Sequence, residues 1–468
     1  MKRRAAYLIP VFTGILLYFF YIRAASSNVA YSDYIRLINS YLPDVANPAK
    51  FFVPDILTRV PVTYLGRIVN VKLFQYNTFF DMGLGVLSMG AGAAALALYG
   101  LRKREIPYAW YLLCLFVYFS LNKWEMTTNG TGWVCFLSIS GFMLHYAILD
   151  HAAATGCASG WDRALCAALP PVLTLFIAGP YCGSYSVILI LAYGTLLAAD
   201  YKREGRWNRT WLAGLAATLA ALLLYLWSSS QAVYVHRGAV GGSIVETFVS
   251  RPWFFVSFLL KALASAVVGV AQLEALGQKG GFIGSEAFVW LLGAAVAGMY
   301  LYALCLNIRH SLYKKTVFPL LLILNGGLNH LLILSARWIF LNDSYGMSSR
   351  YELQYQMGIL GILLTFALAA RAKRRTESGV KASARFLRSL AAPVLCSLAI
   401  LAGNAWTTAQ EIKTAPFRKA YLAVSRELAL NYRTASDEDL EMYLHSSADA
   451  IRNAMRILEE NELNIFKK

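Results

Sequence analysis

An all-α, multi-spanning membrane protein is the fold class this sequence predicts, and three observations predict it. Of 468 residues, 58% are hydrophobic and only 15% charged, where a soluble chain carries about a quarter charged residues. Mean hydropathy is +0.49, and apolar runs of about 20 residues, long enough to cross a bilayer as a helix, recur throughout. The Lys and Arg residues fall in short clusters between those runs, as the positive-inside rule requires. A formal charge of +17 therefore reflects loop asymmetry rather than one basic patch, so nucleic acid is excluded as a partner and the lipid bilayer takes its place. Seven cysteines with no CxxC pair sit mostly inside apolar runs, which argues against a disulfide framework or a zinc site.

The chain predicts about eleven spans, with the N-terminus inside and the C-terminus outside. MKRR anchors a first span, about Ala6 to Ala24; the small residues of AASSNVA suit signal cleavage, but the length of the run favours a retained helix. Residues 25–79 then form a long first outer loop. It opens on YSDYIRLINSYLPDV, where Tyr34, Leu37, Ile38, Tyr41 and Leu42 share one helical face and Asp33 stands at the N-terminus, so a surface-lying helix in the headgroup layer is expected. Ser32 and Asp33 are also ordinary residues for a helix start, favoured there by the dipole alone.

Spans two to seven follow at about Phe80–Leu101, Pro107–Asn122, Gly132–Leu149, Arg163–Ala178, Ser184–Ala199 and Thr210–Trp227, the fifth and sixth as a tight hairpin. Residues 229–285 break the alternation. Their segment RPWFFVSFLLKALASAVVGV is apolar enough to cross, yet Lys261 lies at its centre, and a central lysine costs about 3 kcal/mol on insertion scales. Residues 251–273 are therefore read as a re-entrant or interfacial helix pair. Spans at about Glu286–Asn307, Thr316–Ser335, Gln354–Ala370 and Leu390–Leu401 complete a transmembrane domain, 1–403. The remaining 404–468 loses its apolar runs, and Leu440, Leu444, Ile451, Met455 and Leu458 mark an amphipathic stripe. Such a short helical tail buries little alone, so it is expected to pack on the outer loops.

Sorted by side, the outer loops collect Asp33, Arg36, Asp55, Arg59, Arg67, Lys123, Glu125, Tyr181, His236, Arg237, Asp343, Ser349, Arg350, Tyr351 and Glu352, while the inner loops are merely basic. Carboxylates, cations and tyrosines at one membrane face suit a particular chemistry. A sugar hydroxyl needs a carboxylate base within hydrogen-bond reach, a phosphate leaving group needs Arg or Lys for its growing charge, and aromatic rings stack on sugars. Inside span nine, His330 with Asn325 and Asn329 is a polar group in the membrane. It is a candidate proton relay, or a histidine hydrogen-bonded to a neighbouring helix that Gly326 and Gly327 allow to approach closely.

YSDYIRLINSYLPD after span one, LTRVP in the same loop and DSYGMSSRYELQY before a late span, set in this architecture, resemble the GT-C superfamily of membrane glycosyltransferases. The likeness is greatest to bacterial members that decorate O-antigen or wall polymers such as teichoic acid, including the GtrII-type glucosyltransferases. The resemblance covers most of the chain as architecture and these three stretches as motif. It implies an inverting enzyme of the bacterial plasma (inner) membrane, with its site facing outside. Sugar would pass from a polyprenyl-phosphate donor to a glycan or glycolipid acceptor. It implies Asp33 as general base; the donor phosphate is assigned to Arg59 and Arg350 with Lys123 and Arg237 behind them, and Tyr34, Asp55, Glu125, Tyr181, Asp343 and Tyr351 to substrate binding. SDY has one Asp where some members have two adjacent, so no protein metal ligand is assigned and a divalent cation stays open. Two alternatives stand beside this reading. One is an O-antigen type polymerase or ligase using His236 and Arg237; the other is a flippase or transporter of lipid-linked sugars, which needs paired ionisable groups or broken helices near the midplane.

Overall fold

The computed structural model describes residues 2–51, 60–103, 105–230, 239–278, 280–376 and 380–467, with 2, 51, 373–376 and 380–390 described for the backbone alone. Asp55, Arg59, His236 and Arg237 lie outside the described residues. Every regular element among the described residues is helical. The helices are α1 (Lys2–Ala25), α2 (Asp33–Tyr41), α3 (Pro61–Phe74), α4 (Thr78–Arg102), α5 (Tyr108–Tyr118), α6 (Trp124–Thr128) and α7 (Trp133–Thr155). They continue through α8 (Gly160–Val172), α9 (Cys182–Glu204), α10 (Arg209–Ser230), α11 (Ile244–Ser250), α12 (Pro252–Ser265), α13 (Val270–Gln278) and α14 (Glu286–Arg309). The last are α15 (Phe318–Arg337), α16 (Glu352–Thr376), α17 (Val380–Leu430), α18 (Asp437–Leu444) and α19 (Ala448–Glu460).

By helix length and hydropathy this is a multi-pass membrane protein. Nine helical stretches among the described residues can cross a bilayer, or ten if α12 and α13 count as one broken span, against the eleven expected. The difference has two sources. α5 has only 11 residues, about 16 Å of helix at 1.5 Å per residue, because the chain passes into short turns at Phe119–Ser120. The expected fifth and sixth spans form a single helical stretch, Gly160–Glu204, joined by a π-helical segment at Leu173–Ala178 rather than by an open loop. That stretch still folds back: the Tyr193 hydroxyl donates to the Cys166 carbonyl at 2.7 Å, which 27 residues of straight helix would hold about 40 Å apart.

Lys261 shows why α12 tolerates a charge. Its side chain is 5% exposed and its ammonium donates to Asp343 Oδ1 at 2.8 Å and Glu286 Oε1 at 2.5 Å, so the charge meets two carboxylates instead of lipid. Beyond it the chain bends by 106° between α12 and α13, a geometry that a broken span and a re-entrant pair share. Breaking a buried pair costs 3–5 kcal/mol where both partners are dry; Glu286 is 62% exposed, so Lys261→Met is expected to destabilise by about 2 kcal/mol. A thermal melt in detergent with a midpoint several degrees lower checks this, and an unchanged midpoint would show the pair to be dispensable.

α15 and α16 approach closely at Gly326, where an added Cβ would meet Gly358 N at 2.2 Å. Next to that contact His330 stacks on Tyr355, with ring centroids 3.9 Å apart. Both ring nitrogens lack a hydrogen-bond partner among the described residues, so stacking holds this histidine where a hydrogen bond to the next helix was the expected alternative. All seven cysteines are free, five of them buried.

The ends of the bundle differ. At one, Arg3 reaches the Leu101 carbonyl and Lys103 pairs with Asp150 at 3.1 Å. At the other, the tail covers the first loop. Tyr34, Ile35, Ile38 and Tyr41 of α2 are almost wholly buried against Ile451, Met455 and Leu458 of α19 and against Leu444. The apolar face of α2 is therefore satisfied by protein, which corrects the expectation that this face is buried in headgroups, while the tail packs on the first loop, as expected. α17 carries the tail out of the bundle, anchored where Arg418 is bonded to Glu411 at 2.9 Å and lies over the Trp124 ring.

Candidate functional site

At the end covered by the tail, α2, α3, α4, α7, the α8–α9 turn, α15 and the start of α16 enclose a cavity of about 390 Å³. Asp33 enters it from the first residue of α2. Ser32 makes no side-chain cap there; its backbone N–H instead donates to the Leu444 carbonyl of the tail at 2.8 Å, which fixes the turn that presents Asp33. Across the cavity, Arg350 stands just before α16. Its Nη1 lies 3.5 Å from Asp33 Oδ2 and its Nε 2.5 Å from Glu125 Oε1, and Ser349 donates to the other Glu125 oxygen at 3.1 Å. Burial alone would lower the Arg350 guanidinium, but Glu125 and then Asp33 outweigh it and hold the cation firmly protonated. The site thus joins residues 33, 125 and 350, distant in the chain, into one carboxylate–guanidinium–carboxylate bridge with Asp33 and Arg350 each 37% exposed to the cavity.

Other expected residues divide. Tyr34, Tyr181 and Tyr351 line the cavity with Asp33 and Arg350; Glu125 reaches it only through Arg350. Asp343 does not line it. That carboxylate is held by Lys261 and by Ser257, whose hydroxyl is 2.5 Å away, so it is part of the α12 anchor and is corrected as a substrate contact.

Lys123 is corrected as a phosphate ligand: fully buried, it donates to the carbonyls of Tyr118 at 2.9 Å and Ser120 at 2.8 Å. It satisfies the carbonyl end of α5, which explains why a lysine is placed there. Burial lowers its ammonium to about 7, below the unfolded value of about 10.4. Between those values the unfolded chain binds the extra proton, so the Lys123 contribution makes stability rise with pH from about 7 to about 10. Melting curves of wild type and Lys123→Met across that range are expected to show the rise only in the wild type, and parallel curves would contradict the assignment.

Sequence reasoning passed over several cavity residues. Arg67 was noted as an outer cation without a role. It is 7% exposed, packs its guanidinium 4.3 Å from the Tyr41 ring centroid and 5.1 Å from that of Tyr64, and leaves Nη1 without a hydrogen-bond partner among the described residues. Arg36 lines the cavity too, as does Arg337, which lies 5.8 Å from both Tyr345 and Tyr351. Arg337 lies two residues past the expected ninth span and was not counted among the outer-loop cations, though it is the last residue of α15; Asp81 falls inside the expected second span. Asp81 accepts from the Tyr34 hydroxyl at 2.9 Å, and Gly130 backs that pair so closely that a Cβ there would meet the Tyr34 oxygen at 2.1 Å. Trp133, Asn129 and Asn329 complete the polar and aromatic wall.

No family model, curated protein or solved structure matches this chain. Its chemistry is therefore argued from the cavity itself. Among the described residues two carboxylates and four arginines line it, with Trp133, Tyr181, Tyr345 and Tyr351 as flat apolar surfaces. No group of three or more metal-ligating His, Cys, Asp or Glu side chains occurs among the described residues. The arrangement can bind an anion by charge-assisted hydrogen bonds, stack a ring, and take up a proton on a carboxylate.

Proposed function

We propose that this chain is an integral membrane glycosyltransferase that moves a sugar from a polyprenyl-phosphate donor to a cell-envelope glycan acceptor. The observation that carries the reading is the pairing of Asp33 with Arg350 at 3.5 Å inside a cavity that also holds Arg36, Arg67 and Arg337. In this reading Arg67 and Arg337, cushioned on tyrosine faces and unpaired with carboxylates among the described residues, receive the donor phosphate. Arg350 orients Asp33. The acceptor hydroxyl attacks the anomeric carbon as Asp33 takes its proton; the bond from that carbon to the phosphate oxygen breaks, and the electron pair leaves on the phosphate. One displacement of this kind inverts the anomeric configuration. By the same resemblance the membrane is the bacterial plasma membrane, with the cavity on the non-cytoplasmic face.

The test is transfer of labelled sugar by purified protein in liposomes supplied with synthetic polyprenyl-phosphate sugars and a glycan acceptor. An inverted product supports the reading. Movement of the labelled lipid between leaflets without transfer would instead favour a flippase, for which the placement of Asn329 in the cavity wall beside the buried His330 is the supporting observation.

A further inference from the structure

A second cavity, of about 540 Å³, opens between α1, α4 and α17. Phe79 and Gly83, one turn apart on α4, face it, while Asp81 between them faces the candidate site. The first turns of α4 are thus a partition with a cavity on each side. Phe19, Ile22 and Phe79 give the second cavity apolar walls. Its charged groups are Arg23 and Lys419, both exposed, with the Lys419 ammonium donating to the Arg23 carbonyl at 3.2 Å. No carboxylate lines it among the described residues. At its base Ser26 is fully buried, and its hydroxyl has no hydrogen-bond partner among the described residues, a costly state for a polar group unless something supplies one.

Position narrows what that something is. α1 exposes Phe12, Leu16 and Phe20 by 62–68%, so its flank faces lipid, and the cavity lies at the end of α1 and the start of α4, where a bilayer has its headgroups. Two cations above an apolar slot match an anionic headgroup above a hydrocarbon chain.

We propose that this groove binds a phosphate-bearing anionic lipid. The phosphate sits between Arg23 and Lys419, Ser26 donates to a headgroup oxygen, and an acyl chain lies along Phe19 and Phe79. The bound lipid ties α1 and α4 to α17, the helix that carries the tail over the candidate site. Nothing in this depends on which reaction that site performs.

The test is native mass spectrometry of the full-length protein released from vesicles of equal phosphatidylglycerol and phosphatidylcholine. Wild type and the control Lys72→Gln are expected to retain phosphatidylglycerol over phosphatidylcholine by about thirtyfold, the scale two interfacial cations supply. The double variant Arg23→Gln/Lys419→Gln is expected to retain both equally. Ser26→Ala, which touches no charge, is expected to reduce the preference and serves as the deciding variant if the double variant fails to fold. An unchanged preference in the double variant, or in Ser26→Ala when that variant decides, overturns the proposal. Displacement of the lipid by millimolar inorganic phosphate also overturns it, since the site would then be one for a free anion.

Discussion

Asp33→Asn is expected to abolish sugar transfer while leaving the fold intact. Removal of a general base costs on the order of 10²–10⁴-fold in rate, and the amide cannot take the acceptor proton. The substitution keeps the shape of the side chain at the first position of α2, and the burial of Tyr34, Ile35 and Ile38 under α19 does not depend on the charge. The measurement is turnover of the labelled donor beside a thermal melt. The expected signature is an unchanged midpoint, unchanged donor binding and a collapsed kcat. Normal turnover by Asp33→Asn would remove Asp33 as the base.

Arg350→Gln is expected to have the next largest effect, and of a distinguishable kind from Arg67→Gln. Arg350 is already engaged by Asp33 and Glu125, so its loss leaves two facing carboxylates without the cation between them. Truncating one partner of a partly buried charged contact costs about 2–5 kcal/mol, here seen as a fall in kcat of about 10²-fold or more together with a lower melting temperature. Among the described residues Arg67 forms no ion pair with a carboxylate and its Nη1 has no hydrogen-bond partner. Arg67→Gln is accordingly expected to raise KM for the donor by about tenfold or more with a smaller change in kcat. Equal effects of both substitutions on KM alone would show that Arg350 binds donor rather than orienting Asp33.

The membrane class, the covering of the first loop by the tail and the convergence of Asp33, Tyr34, Tyr181, Arg350 and Tyr351 on one cavity were legible because they follow from apolar runs, amphipathic stripes and the sorting of polar residues by side. What sorting by side cannot do is distinguish polar residues that face a cavity from those that face protein. Lys123 and Arg350 look alike as outer cations, yet one caps the carbonyl end of α5 in a dry site and the other bridges two carboxylates. Asp343 looked like a substrate contact because its partner, Lys261, lies 82 residues away in α12. Asp81 was obscured for the opposite reason, absorbed at the start of an apolar span, and Arg337 because the helix runs two residues past the apolar window and carries it to the cavity. α5 was overcounted because its apolar run continues past Tyr118 although the backbone leaves the helix there. The apolar face of α2 called for a partner, and periodicity does not say whether that partner is lipid or α19.

The most direct measurement is a cryo-electron microscopy map of the protein with a non-hydrolysable polyprenyl-phosphate sugar. The account predicts phosphate density within hydrogen-bond reach of Arg67 or Arg337, and the sugar between Trp133 or Tyr181 and the Asp33 carboxylate. A ligand phosphate seated elsewhere, with the cavity beside Asp33 and Arg350 filled only by solvent, would contradict it.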